Sequence, residues 1–525
     1  MKKTASLALI AGVTTIALAA CSSPAANEED ESRDVSVQLY NPPSTFSPLI
    51  PQVGGNELIQ SLHWDSLLAV NDEGQLAPRL ADSWEVSDDG LVWTFDLQDD
   101  LVWSDGEPFT ADDVVFTFNL YANPASGSAV AGKLSTVEGF DDVPETGSAS
   151  GFTAPDDDTF VMTLTAPNTA KPLELVAPTH FILPEHIYGE LPVEGLGENT
   201  VFREPEVGIG PYLFTEWTTD DQVEFAANPE YRSELELDRI FAKFLPTDVA
   251  QAQLETGEID FAQVAAADAE RISGLEGVTL HNVGGAGIMA LHNAFDAGKL
   301  ADDRVRQAIM YAIDRESIVQ EVIGGYGEVV DTLIHGPEWA VPDDLTNYDY
   351  DPEKARELLA EADWDASTEV RLEIVPGPKD REQALTIIAA QLQEVGMNAV
   401  VQQYDNAALS EAIGARDFDL LISGYGLFNV DPSAMNGILL CDNGALSAYC
   451  DPALDELLLA GVAESDQDVR ADIYADAQRI FNERLPIFPL YVPDTLAATT
   501  DRLQGFTLNP LPTSAFWNAD EWSIG

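Results

Sequence analysis

The sequence predicts an α/β protein whose N-terminal part is rich in strands and whose C-terminal part alternates strands with helices. Two observations predict this class. Between Trp84 and Val102, apolar and polar residues alternate on either side of an Asp-Asp-Gly turn, which is typical of a β-meander. Beyond residue 300, apolar residues recur at helical spacing and are followed by short apolar runs typical of parallel strands. The 525 residues suffice for roughly two to four domains.

The N-terminal half is predicted to consist mainly of strands and turns. A strand over 34–40 leads into a turn-rich loop over 41–46. After the meander, Thr110 and Asp113 have the spacing of a capping box and predict the start of a helix. A further strand is predicted at 160–164.

The C-terminal half carries the start and stop signals of several helices. Asp351 and Asp451 each precede a proline, so each is predicted to cap a helix whose first turn holds that proline. Another helix is predicted to end at Gly396, with strands following it at 397–402 and 417–423. This alternation implies parallel strands joined by helices.

The composition indicates packed domains with a strongly acidic surface. Asp and Glu number 91 against 25 Lys and Arg, so the formal net charge is −66. Such a surface repels phosphate backbones, which excludes direct nucleic-acid binding. With 45% hydrophobic residues, disorder does not explain the acidity. Because the acids are spread along the chain, we relate them to solubility rather than to a ligand.

The first thirty residues indicate export and a lipid anchor. A basic start is followed by an apolar run that ends at Ala20 and is too short for a comfortable membrane span. The Leu-Ala-Ala-Cys21 sequence resembles the bacterial lipoprotein box, in which the cysteine is lipidated and becomes the first mature residue. We predict a signal peptide at 1–20 and a lipidated Cys21 with a flexible tether over 21–33. An ordinary signal peptide with a chance cysteine is the alternative.

The two remaining cysteines, Cys441 and Cys450, are predicted to form a disulfide. They lie in one loop-like segment of a chain predicted to leave the cytoplasm, where disulfides persist. Closing so short a loop stabilises a fold by about 2–3 kcal/mol. No histidine lies beside them in the sequence, which argues against a metal or nucleophile pair.

No sequence motif for catalysis, a cofactor or a metal is visible. The six histidines are scattered, and the chain has no HExxH, zinc-type CxxC, GxSxG or Walker A sequence. The glycine-rich stretch over 284–287 departs from GxGxxG and is interpreted as a flexible or crowded start of a strand. We therefore predict no enzyme activity, no catalytic residue, no cofactor and no metal.

Several segments, in order, resemble the family 5 extracellular solute-binding proteins of bacterial ABC transporters, the peptide- and nickel-binding type. The most recognisable stretch runs over 80–95 and continues over 102–116. Further matching segments follow at the expected spacing: 208–212, 228–231, 254–260, 305–309, 350–355 and 392–396. The resemblance covers nearly everything from Asp34 to the C-terminus.

The resemblance implies a periplasmic-binding-protein-like two-lobed clamp (type II, cluster C-like) with an inserted β-rich domain. Lobe I would comprise 34–73, 207–290 and 493–525, domain II 74–206, and lobe III 291–492. The lobes would close by a hinge motion on a ligand that binds the closed state better than the open one.

The resemblance places the ligand between the lobes. On lobe I, the loop after the first strand would contribute Tyr40, Asn41 and Phe46. On lobe III, the loop after a buried strand would hydrogen-bond the ligand through glycine backbone groups and stack aromatic rings on it. Its candidate residues are Ser423, Gly424, Tyr425, Phe428 and Asp431. Packing of the two aromatic residues within the lobe, and an ordinary turn at Asp431, are the alternatives.

The sequence departs from dipeptide-binding relatives at both charged contacts with the ligand. The stretch over 425–428 lacks the acid that meets the ligand's amino terminus, and Val375 stands where those relatives have a carboxylate-binding arginine. Lys379 and Arg381 lie nearby in the sequence. A longer peptide held by its backbone, or a different solute, therefore fits better than a free dipeptide.

The sequence thus predicts a monomeric receptor held at the outer face of the cell membrane by the lipid on Cys21. It would deliver an oligopeptide-like solute to the permease subunits of an ABC importer. The alternatives are the same fold binding a sugar, opine or metal chelate, a signalling receptor without transport, and a hydrolase of envelope polymers.

Overall fold

The structure is a computed structural model that describes residues 32–50, 55–175, 180–295, 298–377, 379–426, 431–441 and 449–525. The chain divides into two units, Met1–Ser32 and Arg33–Gly525, and every element named below lies in the second. The predicted signal peptide, Cys21 and Phe428 lie outside the described residues. Among the described helices, none has the length and apolar character that spanning a bilayer requires.

The strands are β1 (Asp34–Leu39), β2 (Leu68–Val70), β3 (Leu76–Pro78), β4 (Ala81–Val86), β5 (Val92–Leu97), β6 (Phe152–Asp156), β7 (Thr159–Thr163), β8 (Tyr212–Thr218), β9 (Gln222–Ala227), β10 (Arg239–Phe244), β11 (Phe261–Gln263), β12 (Val278–Val283), β13 (Gly287–Asn293), β14 (Gly327–Val329), β15 (Glu369–Ile374), β16 (Asn398–Gln403), β17 (Leu420–Gly426), β18 (Ile487–Pro493), β19 (Thr495–Thr500), β20 (Leu503–Gln504) and β21 (Ser523–Ile524).

The helices are α1 (Asn56–His63), α2 (Ala111–Ala122), α3 (Val143–Thr146), α4 (Glu185–Tyr188), α5 (Thr247–Thr256), α6 (Ala269–Ser273), α7 (Asp303–Ala312), α8 (Arg315–Val322), α9 (Pro352–Glu361), α10 (Lys379–Glu394), α11 (Asn406–Ala415), α12 (Asn436–Leu439), α13 (Pro452–Ala463) and α14 (Gln467–Arg484).

Lobe I is built on a seven-stranded sheet with the order β12-β19-β11-β1-β10-β9-β8. The first strand, β1, pairs in parallel with both β10 and β11. Its side chains Val35, Val37 and Leu39 are fully buried, which fixes the strand in the middle of the sheet. The sheet collects strands from three separate stretches of the chain, within 34–39, 212–283 and 495–500.

Domain II is centred on a four-stranded antiparallel sheet with the order β4-β5-β7-β6. The helix α2 begins with the predicted capping box of Thr110 and Asp113, which is confirmed. It packs on the sheet through Phe118, whose ring stacks on Phe160 at 5.3 Å. One continuous hydrophobic core joins these residues to lobe I, so domain II does not pack independently.

Lobe III is built on a six-stranded sheet with the order β14-β18-β13-β17-β15-β16. The strand β15 pairs in parallel with β16 and β17. Helices α7 to α10 cover one face of the sheet and α12 to α14 cover the other. The predicted caps are confirmed, because the Asp351 and Asp451 side chains each accept a backbone N–H in the first turn of α9 and α13.

The chain passes between the two large sheets at two places in the described residues, through 284–286 and through Asp494. These crossing segments lie against each other. A Cβ on Gly285 would stand 2.0 Å from the carbonyl oxygen of Pro493, closer than any real contact. A residue without a side chain is therefore required at 285, and the predicted crowding at this strand start is confirmed.

The strands change lobe at slightly different positions from those predicted. β13 begins at Gly287, so 287–290 belong to the lobe III sheet and not to lobe I, while β18 extends to Pro493. The apolar pattern could not show this, because β13 is covered on both faces and is buried along nearly its whole length.

Cys441 and Cys450 are joined by the predicted disulfide, with their Cα atoms 4.5 Å apart. The backbone N–H of Cys441 donates to the carboxylate of Asp455 in α13 at 3.2 Å. Tyr449 packs edge-on against Phe295, with 4.9 Å between the ring centroids. The bridge therefore holds the segment that leads into α13 against the body of lobe III.

We predict that Gly285→Ala lowers the free energy of unfolding by roughly 1–3 kcal/mol, because a methyl group facing a backbone oxygen cannot be accommodated by side-chain movement. Gly284→Ala is the matched control, since nothing lies within 4 Å of a Cβ at that position. Urea unfolding followed by circular dichroism measures both. Equal stability of the two variants would contradict the close approach of the crossings.

A buried carboxyl group in β15 makes the stability of lobe III depend on pH. Glu373 is fully buried, and burial raises its pKa from 4.5 to about 7. One carboxylate oxygen accepts the backbone N–H of Asp419 at 3.0 Å, while the other has no hydrogen-bond partner. A raised carboxyl pKa means that the folded state holds a proton which the unfolded state releases. Stability is therefore lost as the pH rises from 4.5 to about 7.

We predict that Glu373→Gln removes this loss and stabilises the protein above pH 7 by on the order of 1–3 kcal/mol, since the amide is never ionised. The gain should vanish near pH 4. Glu369→Gln changes an exposed carboxylate in the same strand and serves as the control. Urea unfolding from pH 4 to 8 tests this, and a gain that does not change with pH would show that ionisation of Glu373 is not its cause.

Candidate functional site

A cavity of about 640 Å³, here called the interlobe cavity, lies where lobe I, domain II and lobe III meet. Lobe I contributes the turn between β2 and β3, domain II contributes Thr169 and Pro172, and lobe III contributes 335–339. The crossing segment over 284–286 forms another part of the lining. A ligand in a space bounded by both lobes and by their connection would contact both lobes, which makes this cavity a candidate ligand site.

The lobe I side of the interlobe cavity is a hairpin turn that its own side chains hold in place. The side-chain oxygen Oδ1 of Asn71 accepts hydrogen bonds from the backbone N–H groups of Glu73 and Gln75, at 3.1 and 2.8 Å. Asn509 donates to the carbonyl of Val70 at 2.7 Å, which ties the hairpin to the C-terminal segment. The turn therefore presents the exposed Asp72 and Glu73 at a defined position beside the cavity.

The lobe III side is formed by Trp339 and by an ion pair behind it. The guanidinium of Arg470 lies 5.3 Å from the Trp339 ring centroid and bonds the Asp431 carboxylate at 3.0 Å. Asp431 also accepts the backbone N–H of Ser433 at 2.9 Å and caps the short helix that follows. The carboxylate that was predicted to meet a ligand is thus largely used within lobe III, although Asp431 lines the cavity.

Domain II also contacts lobe III at the interlobe cavity. The backbone N–H and the hydroxyl of Thr169 both donate to the carbonyl oxygen of Val462, at 3.0 and 3.1 Å. Thr169 itself lines the cavity. The lining of the cavity therefore includes a covalent crossing, at 284–286, and a residue of a contact that hydrogen bonds hold, Thr169.

The predicted lobe III residues Ser423, Gly424 and Tyr425 lie in a strand rather than in a loop. β17 continues to Gly426 and pairs with β13 throughout, so the predicted strand end at 423 is too early. On its other side, β15 pairs with β17 only at Leu420 and Leu421. Within the described residues, the edge of β17 beyond Leu421 that faces away from β13 has no partner strand. The side chain of Tyr425 lies outside the described residues.

Arg381 lies against β17 at Gly424. A Cβ on Gly424 would stand 3.4 Å from Nη2 of Arg381, which reaches over from the first turn of α10. The guanidinium Nε is buried without a hydrogen-bond partner, and no described carboxylate forms an ion pair with Arg381. In a chain with 91 acidic residues, such an arginine is available for a ligand.

The predicted lobe I residues have different environments. Tyr40 is half-buried at the end of β1, where burial and the nearby Glu57 raise its pKa. Asn41 is exposed. Phe46 is fully buried, with His63 and Phe214 in edge contact at 5.4 Å each. The prediction that Phe46 lines the ligand site is corrected, because its ring belongs to the core of lobe I.

The structure brings only some of the predicted residues to the interlobe cavity. Its described lining includes Asp431 but not Tyr40, Asn41, Ser423 or Gly424. Sequence reasoning missed His335 and Trp339, which share one segment, and Thr169, which comes from a distant part of the chain; none of them belongs to a motif.

The described part of the chain offers no cluster of metal-ligating side chains. No group of three His, Cys, Asp or Glu residues there is placed to hold a metal ion. Burial lowers the pKa of His63, His180 and His292, which are packed in the lobes.

Comparison with known proteins reveals relatives along most of the chain. A putative ABC transporter peptide-binding protein of Brucella melitensis is 29% identical over 500 residues, 91% of each chain. The oligopeptide-binding protein AppA of Bacillus subtilis is 27% identical over 559 residues, 99% of each chain.

The fold is shared with solved structures. The ABC transporter substrate binding protein CtaP of Listeria monocytogenes has a TM-score of 0.83 and 25% identity, covering 94% of this chain and 99% of its own. Bacillus subtilis AppA, solved in complex with a nonapeptide, has a TM-score of 0.77 and 24% identity over 94% of this chain and 99% of its own. The two-lobed α/β clamp predicted from the sequence is confirmed.

The family profile described as "Bacterial extracellular solute-binding proteins, family 5 Middle" matches residues 75–446. This match spans well over half of the 525 residues. The chain therefore belongs to the bacterial extracellular solute-binding proteins of family 5.

Proposed function

We propose that this solute-binding protein captures a peptide-like solute between lobe I and lobe III and delivers it to the permease subunits of an ABC importer. It acts as a monomer at the outer face of the cell membrane, held by the lipid on Cys21, and it is not an enzyme. The relatives named as peptide-binding proteins support the choice of ligand.

The observation that carries the peptide proposal is the open edge of β17. Residues 422–426 pair with β13 on one side and have no described partner strand on the other. An extended peptide backbone has the donors and acceptors to pair with such an edge, whatever its side chains. Gly424 and Gly426 keep side chains out of the way of an approaching backbone.

Arg381 gives this edge a place for a negative charge. Its guanidinium lies beside Gly424 and has no acidic partner among the described residues. A charge-assisted hydrogen bond to a ligand carboxylate would satisfy the buried Nε and orient the peptide along β17. This position supplies the charge that the valine at 375 cannot.

We predict that the protein, purified from membranes without denaturation, carries small peptides. Mass spectrometry of the material released on unfolding should identify them, and adding them back should raise the melting temperature. Lipid on Cys21 should appear in the same spectra as an acylated N-terminal fragment. Release of a sugar, an opine or a metal chelate in place of peptides would contradict the peptide proposal and support the alternative solutes.

We predict that Arg381→Met weakens the binding of the recovered peptides roughly ten- to hundred-fold, the value of a charge-assisted hydrogen bond. Amidation of the peptide's C-terminus should weaken its binding to the wild type by a similar factor. It should not weaken binding to the variant any further. Arg356→Met removes an exposed arginine in α9 and is the control. Calorimetric titration measures all four combinations, and an equal loss on amidation in both proteins would exclude Arg381 as the partner.

A further inference from the structure

A second cavity of about 640 Å³, here called the lobe III cavity, lies on the far side of the segment that carries His335. It is lined by residues over 328–336 and 341–347. His335 and Gly336 line both this cavity and the interlobe cavity. His335 therefore stands at the boundary between two spaces, each large enough for part of a ligand.

The carboxylate beside His335 favours one position for the ring proton. Nδ1 lies 2.9 Å from a carboxylate oxygen of Glu328 in β14. A carboxylate this close attracts an N–H and repels a ring lone pair, so the neutral ring is favoured with its proton on Nδ1 and with Nε2 as an acceptor. No described residue hydrogen-bonds Nε2, and 19% of the side chain is exposed. An acceptor is therefore left for a ligand at the boundary of the two cavities.

The charges around His335 favour a positively charged partner. Burial lowers the pKa of His335, and the nearby Glu328 of β14 and Asp494 of the crossing segment each act in the opposite direction. The interlobe cavity adds Asp72 and Glu73, with Asp431 already paired to Arg470.

The lobe III cavity adds two further acids, Asp343 and Asp331, the second paired with Arg315 at 2.7 Å. The described lining of either cavity contains no lysine or arginine. A ligand carboxylate would be repelled at this point, whereas an ammonium or guanidinium group would be attracted.

We propose that His335 is a specificity-determining residue, whose Nε2 accepts a hydrogen bond from an ammonium or guanidinium group of the ligand. The proposal rests on the proposed function in placing the ligand between the lobes. Glu328 acts as a positioning residue, because it holds the proton on Nδ1 and so keeps Nε2 free. When His335 becomes doubly protonated at lower pH, Nε2 turns into a donor on a cation and repels the same group.

The test uses pentaalanine peptides with one lysine, or one norleucine, at each position in turn. The full-length protein should bind lysine peptides at one position at least ten-fold more tightly than their norleucine counterparts at pH 7.5. His335→Leu should abolish this preference. His335→Gln, which keeps an acceptor but does not titrate, should retain it and lose the decline that the unaltered protein shows below pH 6.5, where His335 gains its second proton.

His186→Gln is the matched control. His186 of domain II also pairs with a carboxylate, that of Asp105 at 2.9 Å, but lies in the described lining of neither cavity. Its substitution should leave the lysine preference unchanged. Binding of the peptides without a lysine preference, or a preference that survives His335→Leu, would overturn the His335 proposal alone. Binding of neither peptide series would overturn the peptide function together with it.

The tautomer is tested without any ligand. Nitrogen-15 spectra of the six histidines, with His335 assigned from His335→Gln, should show a protonated Nδ1 and an unprotonated Nε2 near neutral pH. Glu328→Gln should shift the ring toward a mixture of tautomers. A proton on Nε2 in the unaltered protein would overturn the proposal.

Discussion

The close approach of the two chain crossings at Gly285 and Pro493 is the constraint on which the rest of the structure depends. Each crossing joins the lobe I sheet to the lobe III sheet, and the contact between them leaves no space even for a methyl group. The strand β13 begins just after this contact and β18 ends at it. The contact therefore lies where the chain passes between the two sheets. The crossing segment over 284–286 also lines the interlobe cavity, so a movement of this segment changes the shape of the cavity.

Two kinds of connection meet at the interlobe cavity, the chain crossings and a hydrogen-bonded contact between domain II and lobe III. The crossings are covalent and crowded, whereas domain II and lobe III are joined by hydrogen bonds from Thr169 to the carbonyl of Val462. Hydrogen bonds of this kind contribute only about 1 kcal/mol each and can be exchanged for water. The hydrogen-bonded contact at Thr169 is therefore easier to break than the covalent crossings.

The overall acidity of the surface and the placement of individual charged residues are separate features of this fold. Most acids lie on the solvated surface, and many of the few bases are used in ion pairs, as Arg371 is with Asp417 and Asp419. Near β17 and the interlobe cavity the balance differs. Arg381 has no acidic partner among the described residues, and the lining of the interlobe cavity carries acids without lysine or arginine. The overall excess is thus a property of the surface, while the placement of a few charges bears on the ligand.

Local chemistry allowed the sequence to predict much of the fold. Helix caps at Thr110, Asp351 and Asp451 depend on residues a few positions apart, so they could be read directly. The order of the family segments predicted the clamp in the same way, and the paired cysteines predicted their bridge. These features were accessible because each depends on neighbours in the chain or on a sequence signature.

The sequence by itself therefore determined the fold class and the family. Only the tertiary structure decided that Phe46 is a core residue and that Asp431 is held by Arg470. It also decided that His335, Trp339 and Thr169 share one cavity. These outcomes depend on how distant segments pack, and side-chain surroundings created by packing leave no periodicity or motif in the chain.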